Sequence, residues 1–161
     1  MKTSVSLPLG DPAALLSTWF GAGLLPKAPG TWGSLAALPF AWIISLNGGW
    51  PVLSIAILLV FLLGWWAADR TARVIGIADP GCIVIDEVAG QWLTLVAAPP
   101  DLLHYAIGFA LFRLFDITKP WPANWADRRI KGGLGIMLDD VFAGLYGLIA
   151  MQLLALVWRH G

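Results

Sequence analysis

The sequence predicts an all-α, membrane-embedded helical bundle of one domain, with short helices around a polar site that faces the cytoplasm. Three observations predict it. Hydrophobic residues make up 58% of the 161-residue chain and charged residues only 12%, far from the balance of a soluble domain. A second apolar run, from about Pro51 to Ala68, is long enough to span: about 18 residues at 1.5 Å each cover roughly 27 Å, close to the hydrocarbon thickness. Carboxylates also lie inside apolar segments, at Asp86-Glu87, Asp116 and Asp139-Asp140. A charge at mid-bilayer costs about 3 kcal/mol on the mildest insertion scale, so such groups face a protein interior or a water-filled site.

Asp11-Pro12 reads as an N-cap followed by proline at the first helical position, opening a short helix to about Phe20 that stops at Gly21-Ala22-Gly23. Gly21 to Ser34 is broken by glycine and proline and reads as an ordered loop, with re-entry into the bilayer left open. The chain is then apolar from about Gly33 to Leu46, interrupted by Pro39, and Asn47-Gly48-Gly49 makes a tight turn into the second apolar run. Asp69 to Arg73 is a charged link. A third segment runs from about Ile83 to Ala98 and is ended by Pro99-Pro100-Asp101. The fourth, about Leu102 to Ile117, carries Arg113 and Asp116 three residues apart and so on one helical face. A polar loop from Lys119 to Gly133 leads to the last segment, about Leu134 to Trp158.

Composition closes several routes. Ten Lys+Arg balance ten Asp+Glu without a polybasic tail, which gives no reason to expect nucleic acid. Cys82 is the single cysteine, so an internal disulfide and a Cys/His zinc pattern are excluded. Lys2 is followed by no continuous apolar stretch with a cleavage site, and the N-terminus reads as mature chain, not a signal peptide.

Charge sets the expected topology. Lys2, Lys27, Arg70, Arg73, Lys119, Arg128, Arg129 and Lys131 fall in the N-terminal region and the two polar links, while the turns at Asn47–Gly49 and Pro99–Asp101 hold no Lys or Arg. With alternating segments, the positive-inside rule makes the basic side cytoplasmic and leaves Arg159 outside. Trp32, Trp65, Trp66, Trp121 and Trp125 then mark the cytoplasmic interface, and Trp50 and Trp158 the opposite one. All five acids come to similar depth, just below the cytoplasmic headgroups.

Hard oxygen ligands with no histidine among them suit Mg²⁺, which uses a few carboxylates together with substrate phosphate oxygens. Lys27, Arg113, Lys119, Arg128 and Arg129 lie nearest this level and suit a phosphate. Together they describe a site for a phospholipid headgroup. The blander reading pairs the acids with Arg113, Arg128 and Arg70 to close the bundle. It is preferred for a single pair, but five acids converging from three segments reverse the balance. His104 and His160 lie at or near the far side, and Cys82 has no Cys-x5-Arg loop because position 88 is Val. The turn Gly30-Thr31-Trp32-Gly33-Ser34 offers backbone N–H groups to a phosphate but is not a P-loop.

Three blocks carry a resemblance to a known family: Gly23-Leu24-Leu25-Pro26-Lys27-Ala28-Pro29-Gly30-Thr31-Trp32-Gly33-Ser34-Leu35; Asp79-Pro80 with Ile85-Asp86-Glu87-Val88-Ala89-Gly90; and Phe112-Arg113-Leu114-Phe115-Asp116-Ile117-Thr118-Lys119-Pro120-Trp121-Pro122, continuing to Gly132-Gly133-Leu134-Gly135-Ile136-Met137-Leu138-Asp139-Asp140. Together they resemble the bacterial phosphatidylglycerophosphatase A family over about Phe20 to Gly147. The resemblance implies a Mg²⁺-dependent phosphatase of the inner membrane that converts phosphatidylglycerophosphate to phosphatidylglycerol and phosphate, in an all-helical fold with a central helix surrounded by others.

Individual roles rest on the site argument. Asp86, Glu87, Asp139 and Asp140 are expected to bind Mg²⁺, with Asp116 and Asp79 as supporting or additional ligands. Lys27, Arg113, Lys119 and Arg128, with Thr31 in the glycine turn, are expected to hold the phosphate. Asp127 or Asp79 is expected to accept the proton of an attacking water, and an aspartyl-phosphate route stays open. A small cation transporter is the competing class, disfavoured because the acids cluster toward one face. A CDP-lipid transferase would need an Asp-Gly, Ala-Arg and paired-Asp pattern that the sequence lacks.

Overall fold

The computed structural model describes residues 10–160, so Lys2 and the reading of the N-terminus lie outside the described residues, as does the side chain of His160. Six helices follow in order: α1 (Pro12–Ser17), α2 (Pro29–Ile75), α3 (Ile85–Leu95), α4 (Leu102–Thr118), α5 (Ala123–Arg129) and α6 (Gly132–His160), with a 3-10 turn at Ala22–Leu24.

The Asp11 carboxylate accepts from the Ala13 N–H at 3.0 Å and Pro12 opens α1, as the sequence indicates. The helix is shorter than expected, ending at Ser17; Trp19 and Phe20 turn out of it with φ of 48° and 56°. The loop expected over Gly21 to Ser34 is also shorter. Proline at its first turn starts α2 at Pro29, which puts Gly30 to Ser34 on the helix.

α2 is broken at Gly49, with φ 62° and ψ −163°. Two hydrogen bonds from the α1 region show that it doubles back there. Ser17 Oγ donates to Thr71 Oγ1 at 3.0 Å, while Trp19 Nε1 donates to the Ala36 carbonyl at 3.5 Å. An unbroken helix would hold residues 36 and 71 about 52 Å apart. The halves before and after Gly49 are called α2a and α2b. The tight turn predicted at Asn47-Gly48-Gly49 is therefore present. The charged link at Asp69 to Arg73 is the last turn of α2b.

α3 is the centre of the fold. Eight of its 11 residues are buried, among them Ile85, Val88, Trp92 and Leu95, and Trp92 Nε1 donates to the Ala37 carbonyl on α2a at 2.9 Å. At 11 residues it is shorter than the third segment expected over about Ile83 to Ala98 and rises about 16 Å, half a bilayer core. The core joins Ala37 and Ala41 of α2a, Leu53 and Val60 of α2b, and Met137 of α6 to this helix. α5 lies inside what reads as a polar loop. α2 and α6 are long and apolar enough to cross a membrane, with mean hydropathy of 2.2 and 2.0 in their most apolar stretches.

Candidate active site

Four elements end at one place. α3 begins there with Asp86 and Glu87 in its first turn, where the helix N-terminus favours negative charge. α4 ends there with Arg113 and Asp116 and is terminated by Lys119, in the left-handed region at φ 42°. α6 brings Asp139 and Asp140 from its early turns, and α2a contributes Ala28, Pro29 and Gly30. The start of α6 is fixed on α2b, because the Gly133 N–H donates to Asp69 Oδ1 at 3.1 Å and Arg73 pairs with the same carboxylate.

The result is a cavity of about 290 Å³ lined by Asp79, Asp86, Glu87, Asp116, Asp139 and Asp140 together with Arg113 and Lys119. The acids divide into two sets. Lys119 Nζ donates to Asp139 Oδ2 at 2.6 Å and to Asp127 Oδ1 at 3.0 Å, and Arg113 pairs with Asp116. Asp86, Glu87 and Asp140 form the other set, each offering one oxygen, with all three oxygens within 4.8 Å of one another. Asp86 Oδ1, Glu87 Oε2 and Asp140 Oδ2 are buried without a hydrogen-bond partner among the described residues. An unpartnered buried carboxylate oxygen is costly. Three neighbouring carboxylates, each with such an oxygen, make an oxygen-only donor set that fits a hard divalent cation. Of the other acids expected as ligands, Asp139 pairs with Lys119 and Asp116 with Arg113.

Glu87 is placed by an absent side chain. A Cβ at position 30 would run into Glu87 Oε1 and come within 3.0 Å of Arg113 Nη1, so glycine lets α2a close over the carboxylate. Arg113 Nη1 lies 3.9 Å from Glu87 Oε1, bridging Glu87 and Asp116. α3 and α6 approach equally closely. A Cβ on Gly90 would lie 2.5 Å from the Asp140 carbonyl, and one on Gly144 would lie 2.6 Å from the Gly90 carbonyl.

At the cavity rim, burial opposes the charge on Lys119, yet Asp139 and Asp127 hold its pKa above the usual lysine value. Asp79 remains solvent-exposed as a residue, while its carboxyl against the cavity wall is raised by partial burial, with Lys119 pulling the other way. Burial likewise raises the Cys82 thiol.

Other sequence candidates lie outside the cavity. Lys27, Thr31 and Arg128 do not line it, and Lys27 and Arg128 are exposed. Asp127 lines an adjoining smaller space with Asp79 and reaches the main cavity through Lys119. His104 is far from the acids; its ring Nδ1 lies 2.7 Å from Asp101, whose carboxylate also caps α4 by accepting the His104 N–H. Sequence reasoning named Gly30 only in a glycine turn and missed its closeness to Glu87, along with the capping roles of Asp69 and Asp101, although aspartate before an apolar run is a legible cap signal at Asp101.

The sequence profile of the Phosphatidylglycerophosphatase A family matches residues 15–155. The chain is 42% identical to Phosphatidylglycerophosphatase A of Escherichia coli (strain K12) over 96% of its length and 88% of the relative. It is 40% identical to the protein of the same name from Haemophilus influenzae, covering 90% of each. A relative from Bacteroides thetaiotaomicron, 38% identical over 92% of this chain and 94% of its own, is provisionally named a phosphatidylinositol-3-phosphatase. No solved structure matches the chain.

Proposed function

Because the chain belongs to the phosphatidylglycerophosphatase A family and has the phosphatase activity of that name, we propose that it hydrolyses phosphatidylglycerophosphate to phosphatidylglycerol and phosphate in the carboxylate cavity, with Mg²⁺ as cofactor. The observation that carries this reading is the trio of unpartnered oxygens on Asp86, Glu87 and Asp140 beside two cations. Phosphoryl transfer needs little covalent chemistry from the protein, so positioning and charge stabilisation do most of it.

Asp86, Glu87 and Asp140 would hold the metal, while Asp116 and Asp139 are paired to Arg113 and Lys119. When bound, Mg²⁺ offsets phosphoryl charge and lowers the pKa of an attacking water. Arg113 and Lys119 hold the phosphoryl oxygens, with Asp127 keeping Lys119 aimed at the cavity. The Asp79 carboxylate at the rim accepts the water's proton, and its raised pKa makes it a better base for that task. Lys27, Thr31 and Arg128 are outer contacts for the glycerophosphate headgroup.

Membrane embedding and the inner-membrane location belong to the same proposal. α2 and α6 supply the apolar length, and Leu58, Leu62, Leu153 and Leu156 expose theirs. Trp32, Trp65, Trp66, Trp121 and Trp125 are exposed, as headgroup anchors would be, and so are Trp50 and Trp158.

Phosphate release by purified protein in detergent micelles tests the reading, with phosphatidylglycerophosphate and phosphatidylinositol 3-phosphate offered separately in Mg²⁺ or EDTA. Release from phosphatidylglycerophosphate that disappears in EDTA is expected. A folded sample that leaves this lipid intact, or prefers the inositol lipid, overturns the substrate assignment.

A further inference from the structure

A second cavity, larger than the polar one at about 550 Å³, lies between α2a and α4 and is lined by Leu35, Leu38, Trp42, Tyr105, Ala106 and Phe109 among others. Its walls are the two helices that carry Gly30 and Arg113 into the carboxylate cavity. Phe109 precedes Arg113 by one helical turn on α4, and Leu35 follows Gly30 by little more than a turn on α2a. On both helices the lining of the apolar groove therefore begins about one turn from the lining of the polar cavity.

The far end of the groove is drawn together by aromatic and polar contacts. The Trp42 and Tyr105 rings meet edge-on at 5.0 Å, and the Tyr105 hydroxyl donates to Ser45 Oγ at 3.4 Å. Ser45 is ten residues past Leu35 on α2a, a rise of about 15 Å. That is half of a hydrocarbon core of about 30 Å, the depth of one leaflet. A polar end for a phosphate, an apolar wall one leaflet deep and the same two helices along both describe the shape of a single lipid.

We propose that the α2a–α4 groove seats one acyl chain of the lipid whose phosphate enters the carboxylate cavity. This rests on the lipid-phosphatase reading above and adds a chain-binding subsite to it. Seating the chain fixes the headgroup's depth, so that the phosphate meets Arg113 and Lys119 instead of remaining at the membrane surface. Binding energy from this non-reacting part of the substrate is then used for orientation at the reacting one.

The test fills the groove. Ala106→Trp and Ile43→Trp place a large side chain between the helices, while Leu58→Trp adds the same bulk on an exposed part of α2b. Native mass spectrometry would count dioleoyl phosphatidic acid retained by each protein, against dioleoyl phosphatidylcholine. KM would be measured in parallel for dioleoyl and dihexanoyl phosphatidylglycerophosphate. The two groove variants are expected to retain phosphatidic acid about tenfold more weakly, the affinity of roughly two buried methylenes. They should raise KM for the dioleoyl substrate alone, and Leu58→Trp should match the wild type. Unchanged retention and unchanged KM overturn the groove while leaving the phosphatase reading intact, as does an equal loss on both chain lengths. Groove-dependent retention without any phosphate release supports the groove and sinks the phosphatase reading.

Discussion

Glu87 can approach Arg113 because position 30 carries no side chain, and that contact is exacting enough to test. Gly30→Ala is expected to displace the Glu87 carboxylate and lower kcat/KM for phosphate release by about tenfold, the effect of about 1.4 kcal/mol within the usual range for overpacking. A variant with wild-type kinetics would remove Gly30 from the account. Asp11 offers a second test, outside the cavity. The Ala13 N–H, and then Arg70 at 3.0 Å, hold its carboxyl below the usual carboxylate range. A depressed carboxylate contributes stability above its unfolded pKa of about 4 and loses it as pH falls through the folded value. Melting curves of wild type and Asp11→Ala should therefore differ at pH 7 and converge below about pH 4; a constant gap would contradict the pairing. The acids of the site were legible because a carboxylate in an apolar segment is rare. That Lys27, Thr31 and Arg128 stand outside the cavity lining was not legible, because closeness in sequence to a motif does not say where a side chain points. Gly30 was not assignable because its role depends on the distance between two helices.

At the scale of the element, the site depends on how closely α3 and α6 lie. Gly90 and Gly144 let the backbones approach, a small-residue seam of the kind that packs helices in membranes. Gly144→Val should push the helices apart, separate Asp140 from Asp86 and Glu87, and destabilise the fold by about 1–3 kcal/mol. The measurement is thermal melting alongside Mg²⁺ titration, and a variant unchanged in both would show that the seam is slack. Helix positions were read well from apolar length, Pro12 and the Asn47-Gly49 turn. α5 was missed because seven residues between a proline-rich stretch and a glycine pair show no periodicity. The entry to α2 was read as loop because glycines in Gly30 to Ser34 weighed more than Pro29 at N1. α3 was drawn too long because Val96 to Ala98 are apolar but lie beyond the helix.

For the whole molecule, the doubling back at Gly49 brings the two ends of α2 to the same side, with Arg70 and Arg73 in its last turns and Lys119 at the cavity. In a Cys82→Ser background, a Lys131→Cys variant should be labelled by a membrane-impermeant maleimide only after the cytoplasmic side is opened, and an Asn47→Cys variant in intact spheroplasts. The reverse pattern would invert the proposed orientation. Charge placement is what suggests this orientation, whereas the lateral groove was not legible, because it exists only where two distant segments face each other. Asp86, Glu87 and Asp140 are proposed as the catalytic metal site. Its most direct test is Asp86→Asn, purified in micelles, with Mg²⁺ affinity measured by calorimetry, phosphate release from phosphatidylglycerophosphate, and helix content by circular dichroism. The account predicts native helix content, lost Mg²⁺ binding and turnover down by at least about a hundredfold, the scale of removing one electrostatic stabiliser. A variant that binds Mg²⁺ and releases phosphate like the wild type would contradict it.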